Sequence, residues 1–128
     1  GRLLGDGLSE KVGTIPLISY GCLLSAAAGL LIMSAQLVSS IIGFGIFGLG
    51  LSVIIPEIYR LAGQTKGVPT SVGISIVSGI GFTGFMIGPV LLGFISSLSS
   101  LVWSFGFLSI AILLAFVINT IILTRIYR

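Results

Sequence analysis

The chain has 128 residues, of which 55% are hydrophobic and 7% are charged, and its mean hydropathy is +1.27. An ordinary soluble domain carries about 25% charged residues, and six basic and three acidic side chains cannot cover a water-soluble globule of this size. The composition therefore excludes an ordinary soluble domain and predicts that most of the surface faces a lipid bilayer.

The chemistry open to this composition is narrow. The sequence has no histidine, one cysteine and three acidic residues, so it offers no catalytic triad, no paired carboxylates within a span and no metal cluster. The six basic residues are scattered and form no stripe that would bind nucleic acid. We therefore expect no enzyme activity, no catalytic or metal-binding residue, no cofactor and no nucleic-acid partner.

The charged residues divide the chain into its predicted elements. Uncharged stretches run from 12 to 56 and from 67 to 124, each about twice the ~20 residues that cross a bilayer. Each stretch predicts two helices joined by a short hairpin, at 35–37 and at 96–100. The four helices are placed at about 15–35, 37–62, 70–97 and 101–123. Strands are rejected because lipid admits only helices or closed barrels, and the alternation of a barrel strand is missing.

The basic residues also predict the orientation. All six Lys and Arg residues lie on the side shared by the two ends and the middle loop. By the positive-inside rule this side is cytoplasmic. We expect an all-α membrane protein of the plasma (inner) membrane, in which residues 1–13 form a cytoplasmic loop and residues 14–128 form the four-helix transmembrane segment.

Small residues recur at helical spacing in three of the predicted helices. Lipid supplies little hydrophobic drive between helices, so close packing requires small residues in register. Gly21, Ser25 and Gly29 recur every four residues in the first helix, and four glycines follow between 43 and 50 in the second. We predict that these positions are helix contacts, and that Asn119 in the last helix makes a hydrogen bond to another helix.

The third helix carries two separate faces at 100° per residue. The first, the glycine face, is predicted to press against a neighbouring helix and contains Gly73, Gly81, Gly84 and Gly88. The second, the serine and phenylalanine face, contains Ser71, Ser75, Ser78, Phe82 and Phe85. Two interpretations of the second face stay open: it lines a polar cavity, or its serines bond back to their own helix.

Two segments resemble motifs of the major facilitator superfamily. Residues 1–13, GRLLGDGLSEKVG, are similar to the loop motif between the second and third helices, of which a degenerate copy lies between the eighth and ninth. Residues 84–93, GFMIGPVLLG, are similar to the glycine-proline motif of the fifth helix of antiporters, which is echoed in the eleventh. Residues 56–60, PEIYR, look like the exit from the tenth helix. The loop lacks the usual dense basic run after its acid, and Leu92 stands where the family has a glycine.

The resemblance implies that the chain is a piece of a longer protein and contains helices nine to twelve of a twelve-helix bundle. It implies secondary active transport of a small solute by alternating access. The implied partners are the lipid bilayer, the N-terminal half of the same transporter, a small-molecule solute and, where transport is coupled, an ion. The alternative is a non-transporting four-helix membrane subunit or scaffold.

The resemblance also implies roles for individual residues. Asp6 is expected to bind Arg60 or a helix N-terminus while the cytoplasmic side is closed, and to be released on opening. The other gating candidates are Arg2, Lys11 and Glu57. Pro89 is expected to bend its helix while Gly81, Gly84, Gly88 and Gly93 allow close packing. The spans are taken to carry no charge, so no intramembrane proton carrier or counter-ion is expected in this chain.

Overall fold

The structure is a computed structural model that describes residues 2–126. Its helices are α1 (Arg2–Val12), α2 (Thr14–Met33), α3 (Leu37–Gly63), α4 (Thr70–Leu98) and α5 (Leu101–Ile126). Helices α2 to α5 are long and apolar enough to cross a membrane. The described residues contain no strand, so the predicted class of an all-α membrane protein with four spans is confirmed.

Residues 2–12 form a helix where a loop was expected. Gly13 separates α1 from α2 with a φ of +93°, a backbone conformation that glycine adopts without the cost of a Cβ clash. The break turns α1 back towards α3, where a Cβ on Gly5 would lie 3.5 Å from Val53. Ser9, one helical turn after Gly5, is buried on the same side. A small-residue face therefore attaches α1 to the bundle.

Of the two hairpins opposite α1, the first is shifted by one residue from its predicted position and the second is shorter than predicted. Residues 34–36 join α2 to α3, and residues 99–100 join α4 to α5, because 96–98 remain helical. Ala35 ends α2 with a φ of +55°, and its N–H donates to the Ile32 carbonyl at 3.2 Å. Such short connections make consecutive helices antiparallel neighbours.

Helix α2 lies at the centre of the bundle, between α3 and α5. A Cβ on Gly21 would lie 3.1 Å from the carbonyl oxygen of Gly50, and Gly29 contacts the side chain of Ser109 on α5. A Cβ on Gly43 would lie 3.1 Å from the carbonyl oxygen of Ala28. The predicted close packing is confirmed for Gly21, Gly29, Gly43 and Gly50. A Cβ on Gly45 or Gly48 would meet no described atom within 4 Å, so the predicted contact is not found at these two positions.

The glycine face of α4 differs from those of α2 and α3. Gly73 packs against the carbonyl of Ala62 on α3. A Cβ added at the three remaining positions of this face, Gly81, Gly84 and Gly88, would meet no described atom within 4 Å, and the same holds for Gly93. No described helix of this chain makes the predicted contact with them. It stays a prediction that these four glycines pack against a helix elsewhere in a longer protein. The bend expected at Pro89, which lies inside α4, also stays a prediction.

Asn119 joins the C-terminal part of α5 to the N-terminal part of α2. Its Nδ2 donates to the carbonyl of Ile15 at 3.1 Å and to Oγ of Ser19 at 2.6 Å. The predicted interhelical role of Asn119 is thereby confirmed.

Replacing Asn119 with Leu is expected to lower the free energy of unfolding by about 0.6–1.7 kcal/mol, the range measured for such bonds between membrane helices. Thr120→Val is the matched control, because the Thr120 hydroxyl bonds only the Phe116 carbonyl of its own helix. The free energies are compared by unfolding purified protein in mixed micelles. Equal losses in the two variants would contradict the interhelical role.

Candidate functional site

Three polar side chains meet where α1 crosses α3, and we call them the latch: Ser9, Glu57 and Arg60. The Ser9 hydroxyl donates to Oε2 of Glu57 at 3.0 Å, and Nη1 of Arg60 donates to Oγ of Ser9 at 2.8 Å. The same Arg60 nitrogen lies 4.0 Å from Oε1 of Glu57. Glu57 is 3% exposed, so the latch closes over a buried carboxylate.

The latch follows from the spacing of α3. Glu57 and Arg60 are three residues apart, which places them on one helix face. A buried carboxylate is costly unless hydrogen bonds and an opposite charge compensate for its lost hydration. The Ser9 hydroxyl supplies the hydrogen bond and the half-exposed Arg60 supplies the charge.

Glu57 corrects the expectation that the spans carry no charge. It lies inside α3, which continues to Gly63, and its side chain is buried. The sequence interpretation placed Glu57 at the exit of the predicted helix at 37–62 and still counted the spans as uncharged. An ionisable group inside a membrane span almost always has a partner, and α1 provides one here.

The structure places Ser9, and not Asp6, beside Arg60. Asp6 and Lys11 are exposed on α1, and neither has a hydrogen bond or ion pair with any described side chain. The side chain of Arg2 lies outside the described residues. Ser9 was not predicted from the sequence because only charged residues were considered as gating candidates. The available signal was the one-turn spacing of Gly5 and Ser9, which marks a closely packed helix face.

A second polar site, which we call the cleft, lies on the side of α3 where Tyr59 meets Ser78 of α4. The hydroxyl of Ser78 on α4 donates a hydrogen bond to the Tyr59 hydroxyl on α3 at 3.3 Å. Nearer the loop that joins α3 to α4 the two helices touch, where the Thr70 hydroxyl donates to the Gly63 carbonyl at 3.0 Å. The cleft has a volume of about 550 Å³, and its lining residues all belong to α3: Ser52, Ile55, Pro56 and Tyr59.

The serine and phenylalanine face of α4 reaches the cleft through Ser78. The Ser75 hydroxyl instead donates to the Ser71 carbonyl at 2.7 Å, so the alternative of back-bonding holds for Ser75. Phe82 and Phe85 are exposed, and their cavity-lining role stays a prediction, as does that of Ser71. Tyr59 was not singled out from the sequence, although it lies in the PEIYR segment at the end of the second span.

Two curated bacterial membrane proteins are similar to the chain. It is 32% identical over 114 residues, 88% of the chain, to an uncharacterized MFS-type transporter of Yersinia pestis. It is 32% identical over 94 residues, 73% of the chain, to the membrane protein MosC of Rhizobium meliloti. The chain spans 30% and 23% of the lengths of these relatives. No protein-family model and no solved structure matches the chain.

Proposed function

Because the chain belongs to the major facilitator superfamily, we propose that it forms part of a secondary transporter that moves a small solute by alternating access. The observation that carries this proposal is the similarity to an MFS-type transporter over 88% of the chain. The four apolar helices agree with it. On this proposal the chain supplies helices nine to twelve, and its partners are the N-terminal half of the transporter, the solute and any coupling ion.

We propose an orientation in the plasma (inner) membrane with both ends of the chain in the cytoplasm. The three groups of charged residues, Asp6 and Lys11 among them, then lie at or near the cytoplasmic face. The latch and the contact between Thr70 and Gly63 lie at this same end of the helices. The two uncharged hairpins face outward.

We propose that the latch is a gate on the cytoplasmic side. Ser9 on α1 contacts both charged groups on α3, so movement of α1 away from α3 breaks both hydrogen bonds of Ser9 together. A contact present in one conformation and absent in the other biases the equilibrium between the two. Arg2, Asp6 and Lys11 would act on the gate through the position of α1.

We propose that α4 faces the rest of the transporter. Its glycines from Gly81 to Gly93 leave room for a backbone to approach closely, and Pro89 permits a bend in the same stretch. The serine and phenylalanine face and the cleft would lie along the solute path.

Transport itself is the test. Proteoliposomes holding the full-length transporter are expected to take up one or more of five labelled solutes: D-glucose, D-mannitol, L-lysine, L-glutamate and tetraphenylphosphonium. Vesicles holding residues 1–128 alone are expected to match protein-free vesicles, because a midplane site is formed between two halves. Uptake by residues 1–128 alone would favour a small self-assembling carrier. Full-length protein that transports none of the five would favour the non-transporting subunit.

A further inference from the structure

Helix α1 carries an apolar flank beside the face that contacts α3. Gly5 and Ser9 form the contact face, and both are buried. The apolar flank consists of Leu4, Leu8 and Val12, which are four residues apart and therefore fall within a sector of about 80° around the helix axis. Their side chains are 71%, 47% and 45% exposed. No described helix covers this flank, so it forms a continuous exposed apolar strip.

The opposite flank of α1 carries the acidic residues. Asp6 and Glu10 are exposed and lie about 180° around the axis from the apolar flank. Leu3 lies beside them on the charged flank, and Lys11 borders the apolar flank. A lysine at such a border keeps its methylene stem on apolar surface and its ammonium group in water. Helix α1 is therefore amphipathic, with an apolar and a charged flank on either side of its contact with α3.

Two contacts show how α1 lies along α3. A Cβ on Gly5 would lie 3.5 Å from the side chain of Val53, and the Ser9 hydroxyl donates to Glu57. From the first contact to the second, both helices advance by four residues. The two helices therefore run side by side in the same direction over this turn, and the depth of α1 follows from that of α3.

These contacts place α1 at the edge of the hydrocarbon core. At 1.5 Å per residue, Val53 lies about 24 Å and Glu57 about 30 Å along α3 from its first residue, Leu37. The core is about 30 Å thick. With the hairpin before Leu37 at one surface, Gly5 lies about 6 Å inside the opposite boundary and Ser9 lies at it. Helix α2 has 20 residues and spans the same thickness, so its first turn, which follows α1 after a single residue, lies at this boundary too.

We propose that α1 docks on the bilayer, with its apolar flank among the acyl chains at the leaflet boundary and its charged flank in water. Amphipathic helices of membrane interfaces bury their apolar face about 5–10 Å into this boundary, which agrees with the depth given by the contacts with α3. Because Ser9 lies on the same short helix, the lipid contact also holds the latch closed. This last step rests on the proposed gate, and the docking itself does not.

Fluorescence quenching tests the docking and needs no solute. Leu4→Cys, Leu8→Cys and Glu10→Cys are introduced separately into full-length transporter whose other cysteines, Cys22 among them, are replaced by alanine. Each is labelled with the fluorophore NBD and reconstituted into phosphatidylcholine vesicles. Phosphatidylcholine with a nitroxide on an acyl chain is expected to quench the labels at Leu4 and Leu8 at least about threefold more than the label at Glu10, because the nitroxide stays among the acyl chains. Iodide on both sides of the membrane is expected to give the reverse order, because it stays in water.

Three results would overturn the docking. Iodide quenching at Leu4 and Leu8 as strong as at Glu10 would place the apolar flank in water. Quenching of these two labels by neither agent would show that another part of the transporter covers the flank. Equal nitroxide quenching at all three positions would remove the difference between the flanks. Each readout is independent of solute uptake, so the transport function is tested separately.

The effect of the lipid contact on the latch is measured with the double variant Leu4→Gln, Leu8→Gln. Glutamine has nearly the helix propensity of leucine but disfavours the acyl chains, so a thiol reagent at the cytoplasmic face should modify Ser71→Cys at least about twofold faster. Glu10→Gln, on the charged flank, is the matched control and is expected to keep the parent rate. If Glu57→Ala accelerates modification and the double variant does not, the lipid contact does not hold the latch. If neither does, the gate itself is wrong.

Discussion

Gly50→Leu is expected to lower the free energy of unfolding by about 3 kcal/mol, at the upper end of the usual cost of overpacking, and to reduce the yield of monodisperse protein. A Cβ on Gly50 would overlap Oγ of Ser25 and would lie 2.8 Å from the carbonyl oxygen of Gly21. Both obstacles belong to α2, and one of them is backbone. Helix α2 has little freedom to move away, because Gly29 holds it against Ser109 of α5.

Gly48→Leu is the matched control for this prediction. A Cβ on Gly48 would meet no described atom within 4 Å, while both substitutions gain the same helix propensity of about 1 kcal/mol over glycine. The difference between the two variants therefore measures the contact between α2 and α3. Yield by size-exclusion chromatography and unfolding in mixed micelles provide the comparison. Equal yields and equal unfolding free energies would show that the α2–α3 contact is not close at Gly50.

Glu57→Ala is expected to open the cytoplasmic side. The change removes the acceptor of the Ser9 hydroxyl and the carboxylate beside Arg60. A hydrogen bond to a charged group contributes about 1.5–3 kcal/mol, so the closed conformation should lose about 10- to 100-fold in population relative to the open one. A thiol reagent added to the cytoplasmic face of inside-out vesicles should modify Ser71→Cys correspondingly faster.

The variants Ser9→Ala and Asp6→Asn test which residue of α1 holds the cytoplasmic side closed: Ser9 of the latch, or Asp6 as the family motif implies. Ser9→Ala breaks two hydrogen bonds of the latch and is expected to shift accessibility in the same direction as Glu57→Ala, by a smaller factor. Asp6→Asn is expected to shift it less than Ser9→Ala, because Asp6 is exposed and contacts no described side chain of the latch. A larger effect of Asp6→Asn would assign the gate to Asp6 and remove that role from Ser9.

Added salt provides an independent check on the latch. Salt screens exposed charges and acts weakly on buried ones. Since Glu57 is buried, the accessibility of Ser71→Cys in the parent protein is expected to change little between low and moderate salt. A strong salt dependence would indicate that an exposed pair holds the cytoplasmic side closed.

The sequence by itself determined the class of fold. Two long uncharged stretches must cross lipid, and in lipid the backbone must satisfy its hydrogen bonds within each helix. Both constraints act along the chain, so they can be read without knowing which helices are neighbours. The same holds for Gly21 and Gly50 and for Asn119, because small or polar residues in a span need a helix partner wherever that partner lies.

Only the tertiary structure decided which residues form the two candidate sites. Gly81 and Gly84 have the same local pattern as Gly21, yet no described helix of this chain lies against them. Ser9 and Tyr59 acquire their roles because α1 crosses α3 and because α3 approaches α4. Helix crossings are contacts between residues far apart in sequence, and local periodicity carries no information about them. Burial of Glu57 was therefore decided by the placement of α1, and not by its position at the end of an apolar stretch.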